Sequence, residues 1–323
     1  MDSTNKLLSV KDLTVEYTSG GDVIHAVNGV SFELKKGQSL GLVGETGAGK
    51  TTIAKSIMRI LPPGPSRIVG GQIALDGEDV LQKPEEKMVD IRGSKVSMIF
   101  QDPMTALNPT MTIGDQIAEV IQLHSNVSKQ EAREQAIEML QRVGIMGERY
   151  NYYPYQFSGG MKQRVVIAMA LVFRPDLLLA DEPTTALDVP IQAQILETIR
   201  HFKEKFNTSM ILITHDLGIV AENCDCVAVV YAGQIVEYGS LEDVFDHTAH
   251  PYTVGLFHSL PSWAAGEERL HPIYGNPPDP REAPVGCAFA PRCPRATEAC
   301  RNQAIPDVEL SPGHLCRCLN PEV

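Results

Sequence analysis

Eight consecutive residues, Gly44-Glu45-Thr46-Gly47-Ala48-Gly49-Lys50-Thr51, carry the densest chemistry in the chain. They fit G-x-x-x-x-G-K-[ST], where glycines let the backbone fold back so that successive N–H groups face a polyphosphate. Lys50 then reaches the β- and γ-phosphates, and Thr51, followed by Thr52, offers a hydroxyl to Mg²⁺. The apolar run 40–43 reads as a strand and residues 52–61 as a helix, so the loop opens on an anion-attracting helix N-terminus. A glycine turn ahead of a core helix is the plainer reading, and the strand–loop–helix order weighs against it.

Other residues suited to phosphate chemistry follow apolar runs in the same way. Asp181-Glu182 ends one such run: Asp181 could serve Mg²⁺ and Glu182 could take the proton from an attacking water. In isolation an acidic pair there would simply cap the next helix. Gln101 could bridge metal and water, and His215 could donate to a γ-phosphate. Ser158-Gly159-Gly160 precedes the helical run 165–173, which makes a second anion-facing helix start about 110 residues after the first. Two phosphate-facing ends so far apart suggest two chains sharing each nucleotide.

These residues need a scaffold, and the patterning supplies one. Residues 7–17 and 26–34 read as strands, with Tyr17 near the end of the first, where an aromatic ring could stack on a base or simply pack at a sheet edge. Apolar strand signals recur at 96–100, 177–180, 210–214 and 226–231, the last turning into 234–238. Strands separated by helical stretches imply an α/β fold with a mostly parallel sheet, in which ligands collect outside the carboxyl ends of the strands. From about 104 to 175 the pattern turns helical, with capping boxes at Thr112/Asp115 and Ser128/Glu131. One helix face carries Ile117, Val120 and Ile121; another carries Ala132, Ala136, Met139, Leu140 and Val143. The aromatic cluster Tyr150, Tyr152, Tyr153, Tyr155 and Phe157 that follows reads as packing.

Composition sets the bounds. The 323 residues are 43% hydrophobic and 21% charged, ordinary globular values. The longest apolar run, 165–173, is too short to span a bilayer, and the first ten residues lack a secretory h-region, which leads to the expectation of a cytoplasmic chain. A formal charge of −12 argues against a nucleic-acid partner. Past about residue 260 prolines dominate and aliphatics thin out, so this tail is expected to be either disordered or stapled.

Taken in order, Tyr17, the phosphate loop, Gln101, the run from Ser158 to Met161, Asp181-Glu182, Ala186-Leu187-Asp188 and His215 resemble the ATP-binding subunit of an ABC transporter over roughly residues 5–255. The resemblance implies a P-loop ABC ATPase with a helical subdomain at about 104–175, an antiparallel N-terminal β-subdomain and an extension at 256–323. It implies a head-to-tail dimer with ATP between one chain's loop and the other's Ser158, Gly159 and Gly160. Tyr17 would stack on adenine, Asp188 would line the dimer seam and His215 would sense the γ-phosphate. Glu182 would be the base, and Thr51, Gln101 and Asp181 would serve Mg²⁺. Many ABC subunits carry Leu-Ser-Gly-Gly-Gln where this chain has Phe157 and Met161 at the ends, neither of which is expected to contact phosphate.

Residues 100–109, His250-Pro251-Tyr252-Thr253 and the stretch 277–294 resemble the dipeptide, oligopeptide and nickel importer branch. That implies import of a small solute, with peptide as the leading cargo and nickel or oligosaccharide as alternatives. It implies two transmembrane permease subunits, a sister ATPase or a second copy as dimer partner, an external solute-binding protein, and a peripheral place on the cytoplasmic membrane face. The rival class, a non-transport ABC ATPase, tends to carry two cassettes or long coiled-coil insertions, and neither is evident here.

Five of seven cysteines fall in the last 37 residues. The gaps between Cys287, Cys293 and Cys300 do not fit a zinc knuckle, and disulfides conflict with the expected compartment. The resemblance supports a [4Fe–4S] site on four thiolates. The branch's ending, Gly-His-x-x-x-Cys, maps Gly313-His314 onto Cys318, so the expected ligands are Cys287, Cys293, Cys300 and Cys318, with Cys316 as the alternative fourth.

Overall fold

Parallel strands covered on both faces have no solvent side to alternate toward, so they read as unbroken aliphatic runs, and such runs form the middle of this fold. The structure is a computed structural model that describes residues 5–185, 187–259 and 272–322. Contacts divide the chain into two compact units. One consists of Leu34–Ser39, Gln82–Ile213 and the N-terminal end up to Leu7; the other consists of Leu8–Glu33, Leu40–Leu81 and the chain from Thr214 onward.

The unit that holds the phosphate loop contains two sheets. Strands β1 (Lys6–Ser19) and β2 (Asp22–Lys35) lie beside β4 (Ser66–Leu75) and the short β5 (Glu78–Asp79) in the order β2-β1-β4-β5. In β2 the alternation is plain: Val30, Phe32 and Leu34 are buried while Ser31, Glu33 and Lys35 are exposed, as expected of a sheet with one wet face. The other sheet runs β11-β12-β10-β9-β3, where β3 is Ser39–Val43, β9 Cys226–Tyr231, β10 Gln234–Ser240, β11 Val308–Ser311 and β12 His314–Cys316. Strand β3 pairs in parallel with β9, and both are buried at every residue. Helix α1 (Lys50–Met58) follows the loop, and α8 (Leu217–Asn223), α9 (Leu241–Asp246), α10 (Pro251–His258) and α11 (Glu298–Asn302) complete the unit. Gly41 lets α8 cross β3 closely, since a Cβ there would lie 2.5 Å from the Val220 side chain.

In the other unit β6 (Val96–Ile99), β7 (Leu177–Asp181) and β8 (Ser209–Ile213) run parallel in the order β8-β7-β6, again buried throughout. Its helices are α2 (Glu85–Ile91), α3 (Pro103–Ala106), α4 (Ile113–His124), α5 (Lys129–Arg142), α6 (Gly159–Leu171) and α7 (Val189–Phe206). Helix α5 starts on a complete capping box: the Ser128 hydroxyl accepts the Glu131 N–H at 3.2 Å, and Glu131 accepts the Ser128 N–H at 2.8 Å. At α4 the Thr112 hydroxyl caps the Asp115 N–H but gives its own proton to the Asp115 carboxylate at 2.7 Å, so the reciprocal half of the box is replaced by a side-chain pair. Asp115 also accepts the Tyr150 hydroxyl at 2.9 Å, and burial together with that carboxylate pushes the phenol up to about 12.

One expectation changes here. Tyr150 and Phe157 are buried, but Tyr152, Tyr153 and Tyr155 are exposed, Tyr155 by 75%, so most of the aromatic cluster faces outward rather than packing. Of the two alternatives for the proline-rich tail, residues 272–322 take the ordered one. Strand β12 pairs antiparallel with β10, and β11 with β12. The fully buried Glu237 carboxylate accepts the N–H groups of Ala249 (2.8 Å) and His250 (3.0 Å) and meets His314 Nε2 at 2.9 Å. A buried charge is tolerable when so many donors converge on it.

Candidate nucleotide site

The phosphate loop needs its glycines for two reasons, backbone sign and space. Gly44, Gly47 and Gly49 have φ of 144°, 82° and 101°. A Cβ on Gly44 would stand 2.0 Å from the Val230 carbonyl oxygen, and one on Gly49 would stand 2.4 Å from that of Ala26. No other residue fits at either position. Gly49 is the N-cap of α1, so the loop amides and the helix start face the same way, the arrangement that attracts an anion. Lys50 is only 5% exposed, and its Nζ donates to the carbonyls of Gly44 (2.7 Å) and Glu45 (2.9 Å). The ammonium is thereby held across the loop it serves.

Residue 45 is gripped at both ends. Its N–H donates to the Tyr252 hydroxyl at 3.0 Å, and its carboxylate accepts Arg292 Nη1 at 3.0 Å. Thr46 and Gly47 at the loop tip are exposed, whereas Ala48 is buried and its carbonyl accepts the Gly233 N–H. Tyr17, half-buried, lies within 3.3 Å of Thr52 Oγ1 through its hydroxyl, so its ring and the first turn of α1 sit together. His215, in the same unit, is exposed one residue ahead of the Asp216 cap of α8.

In the other unit Asp181 ends β7 and is 2% exposed. Glu182 follows with φ of 45°, a left-handed backbone that costs a non-glycine residue about 1–3 kcal/mol and is concentrated at functional positions. Its N–H is tied to the Ile213 carbonyl at 2.9 Å. Its Oε2 accepts Gln101 Nε2 at 2.8 Å and the Thr185 hydroxyl at 2.9 Å. The carboxylate is therefore aimed from three directions.

Ser158 caps α6, its hydroxyl accepting the Met161 N–H at 3.4 Å. Together with Gly159, Gly160, Leu187 and Asp188 it lines an open cavity of about 580 Å³, to which Arg149 and Arg164 add positive charge. Gly160 packs closely there, where a Cβ would meet Ile191 Cγ2 at 2.7 Å. Ala186 lies outside the described residues.

The structure thus brings together Tyr17 and the loop from Gly44 to Thr52, Gln101 and Glu182, and Ser158, Gly159 and Gly160 with Asp188. Thr185, Tyr252 and Arg292 were not anticipated as site residues. Thr185 had a usable signal in its spacing of three from Glu182, whereas Arg292 had none, being 247 residues from the carboxylate it binds.

The iron–sulfur expectation is corrected. Among the described residues no group of three or more His, Cys, Asp or Glu side chains is placed to share a metal ion. Cys287, Cys293, Cys300 and Cys318 do line one cavity, but its volume is about 10 Å³ and Phe289 and His250 help to wall it. Burial raises the thiols of Cys287 and Cys293, favouring the neutral form over the thiolate that a metal takes. Cys300 pairs with the Thr297 hydroxyl and Cys318 accepts the Asn320 N–H. Cys316 is fully buried in a small core with Ala249 and Cys318.

A strand-borne phosphate loop in one unit, with an oriented carboxylate and a capped Ser-Gly-Gly helix start in the other, marks a nucleotide-hydrolysing ATPase of the cassette class. The ABC transporter family matches residues 27–185, and the family described as "Oligopeptide/dipeptide transporter, C-terminal region" matches residues 236–300. The chain is 49% identical over 97% of its length to the dipeptide transport ATP-binding protein DppD of Bacillus subtilis, covering 94% of that protein. With the oligopeptide transport ATP-binding protein OppD of Escherichia coli it shares 47% identity over 98% of its length and 93% of the relative's. Among solved structures, the dimeric bacterial ABC transporter cassette MJ0796 superposes with a TM-score of 0.66 at 26% identity, over 73% of this chain and 99% of that one. The chain belongs to the ABC transporter family of ATP-binding subunits.

Proposed function

We propose that this protein hydrolyses ATP to drive import of di- or oligopeptides through a membrane permease. The observation that carries the cargo class is that the similarity to peptide-transport ATP-binding proteins runs through the C-terminal extension as well as the cassette. In this reading residues 5–255 are the ATPase and 256–323 the extension of the peptide-importer branch. Lys50 and the loop amides stabilise phosphate charge, Tyr17 stacks on adenine, and Glu182 accepts the proton of the attacking water. His215 donates to the γ-phosphate, and Ser158, Gly159, Gly160 and Asp188 face the nucleotide of a second subunit, identical or sister.

Thr51, Gln101 and Asp181 carry hydroxyl, amide and carboxylate oxygens, hard donors of the kind that would hold Mg²⁺. When bound, the ion neutralises charge on the β- and γ-phosphates. No helix among the described residues is long and apolar enough to cross a membrane. The similarity to peptide-transport ATP-binding proteins supports a place at the inner membrane face, held by permease subunits, with the exposed Tyr152, Tyr153 and Tyr155 and the segment after Gln101 as the docking side.

The test is uptake into proteoliposomes assembled with the neighbouring permease and solute-binding proteins. ATP-dependent accumulation of a labelled dipeptide, lost with Glu182→Gln, is expected. Accumulation of nickel or an oligosaccharide instead, with no peptide uptake, would overturn the cargo, and turnover near wild type in Glu182→Gln would overturn the base.

A further inference from the structure

Arg292 belongs to the C-terminal extension, yet its guanidinium ends at the phosphate loop. Its side chain is only 6% exposed. Nη1 donates to Glu45 Oε2 at 3.0 Å and to the Tyr231 hydroxyl at 3.2 Å. Nη2 donates to the Ile273 carbonyl at 3.2 Å and Nε to that of Tyr274 at 3.1 Å. Burial alone would lower the Arg292 pKa, but the Glu45 carboxylate and Tyr231 hydroxyl raise it. The planar fork thus spans two parts of the chain, the backbone of the extension on one side and the second residue of the loop on the other.

Tyr252 adds the second grip. It is fully buried, its ring 4.5 Å from that of Tyr231 and 5.4 Å from that of Phe289 in the extension, and its hydroxyl accepts the Glu45 N–H. Burial raises its pKa, so the hydroxyl keeps its proton. Glu45 in turn supplies one of the two carbonyls that hold Lys50 Nζ. A continuous chain of contacts therefore leads from the extension through Arg292 and Glu45 to the lysine of the loop.

We infer that Arg292 is a positioning residue for nucleotide binding: through Glu45 it sets the entrance of the phosphate loop, so that the docked extension holds the loop ready for triphosphate. This rests on the assignment of the loop as the ATP site. Loosening the contact would leave the chemistry of Glu182 intact and weaken capture of the nucleotide, because the loop would have to be ordered at the expense of binding.

The experiment measures ATP affinity and steady-state turnover for the full chain and for Arg292→Ala, Arg292→Lys, Glu45→Ala and the Arg292→Ala/Glu45→Ala double variant. Thermal melting of each shows whether it is folded. The expected result is a KM and a Kd for ATP raised about tenfold in each alanine variant, with kcat within about twofold, and partial recovery in Arg292→Lys. The double variant should be no worse than either single one, since both remove the same link. Glu45→Ala leaves the Ile273 and Tyr274 contacts untouched, so it reads the link even where Arg292→Ala melts early. Unchanged affinity in Glu45→Ala, or losses that add in the double variant, would overturn the inference while leaving the ATP site standing. Failure of the wild-type chain to bind ATP would overturn both.

Discussion

Gln101 holds the Glu182 carboxylate directly, Nε2 to Oε2 at 2.8 Å, although the two stand 81 residues apart and end different strands, β6 and β7. The left-handed backbone of Glu182 fixes where its side chain begins, and Gln101 and Thr185 fix where it ends. Gln101→Ala should therefore release the carboxylate and lower kcat about tenfold or more, with a smaller effect on ATP affinity. Steady-state kinetics would show it, and an unchanged kcat would mean that the bond to Gln101 has no part in turnover.

Gly44 admits no side chain, because the Val230 carbonyl stands where a Cβ would go. Gly44→Ala should destabilise the unit by about 3 kcal/mol or more and abolish ATP binding. Denaturant titration measures the first and nucleotide binding the second. A folded variant that bound ATP normally would contradict the loop geometry described.

His250 caps α10 by accepting the Tyr252 N–H on Nδ1, and its Nε2 is buried with no hydrogen-bond partner among the described residues. Burial lowers its pKa from 6.5 to about 3. Between those values the unfolded chain takes up a proton that the folded chain refuses, so this contribution to stability is complete above pH 6.5 and drains away as the pH falls toward 3. His250→Asn keeps an acceptor for the cap and removes the titration. Its stability, compared by denaturant titration, should fall by about 1.5 kcal/mol less than wild type's between pH 6.5 and pH 5. Parallel curves for the two proteins would show that the imidazole already titrates normally in the fold.

Glu237 satisfies two backbone N–H groups and meets His314 from a fully buried position. Glu237→Ala should cost about 3–5 kcal/mol by orphaning these donors and opening a cavity, whereas Glu237→Gln should cost less. Limited proteolysis should then cut the extension first, near β11 and β12. Equal resistance of the variant and the wild type would show that the extension is anchored elsewhere.

The central strands were legible because their residues are local evidence: unbroken runs such as 177–180 and 226–231 have one physical reading between turn signals. The loop at 44–51 was legible for the same reason, as was the cap pair Ser128 and Glu131. What failed depended on distance along the chain. The outward turn of Tyr152, Tyr153 and Tyr155 is invisible to composition, since an aromatic cluster looks the same packed or exposed. Five cysteines in a proline-rich tail suggested a cluster, yet the cavity that four of them line is only about 10 Å³, and Cys316 is taken into a strand. Arg292 and Tyr252 meet Glu45 only after folding, and no spacing rule joins residues more than 200 apart.

Strand β10 would, without β12, present a bare margin of unsatisfied amides and carbonyls to any passing chain, the condition under which sheets recruit one another. Here β12 occupies that margin for the length of its three residues, and β11 behind it is brief and carries Glu309, a poor template for further growth. Shortening the protein to its cassette would uncover that margin on β10 at Glu237 and Tyr238, where Cys316 and Leu315 now pair.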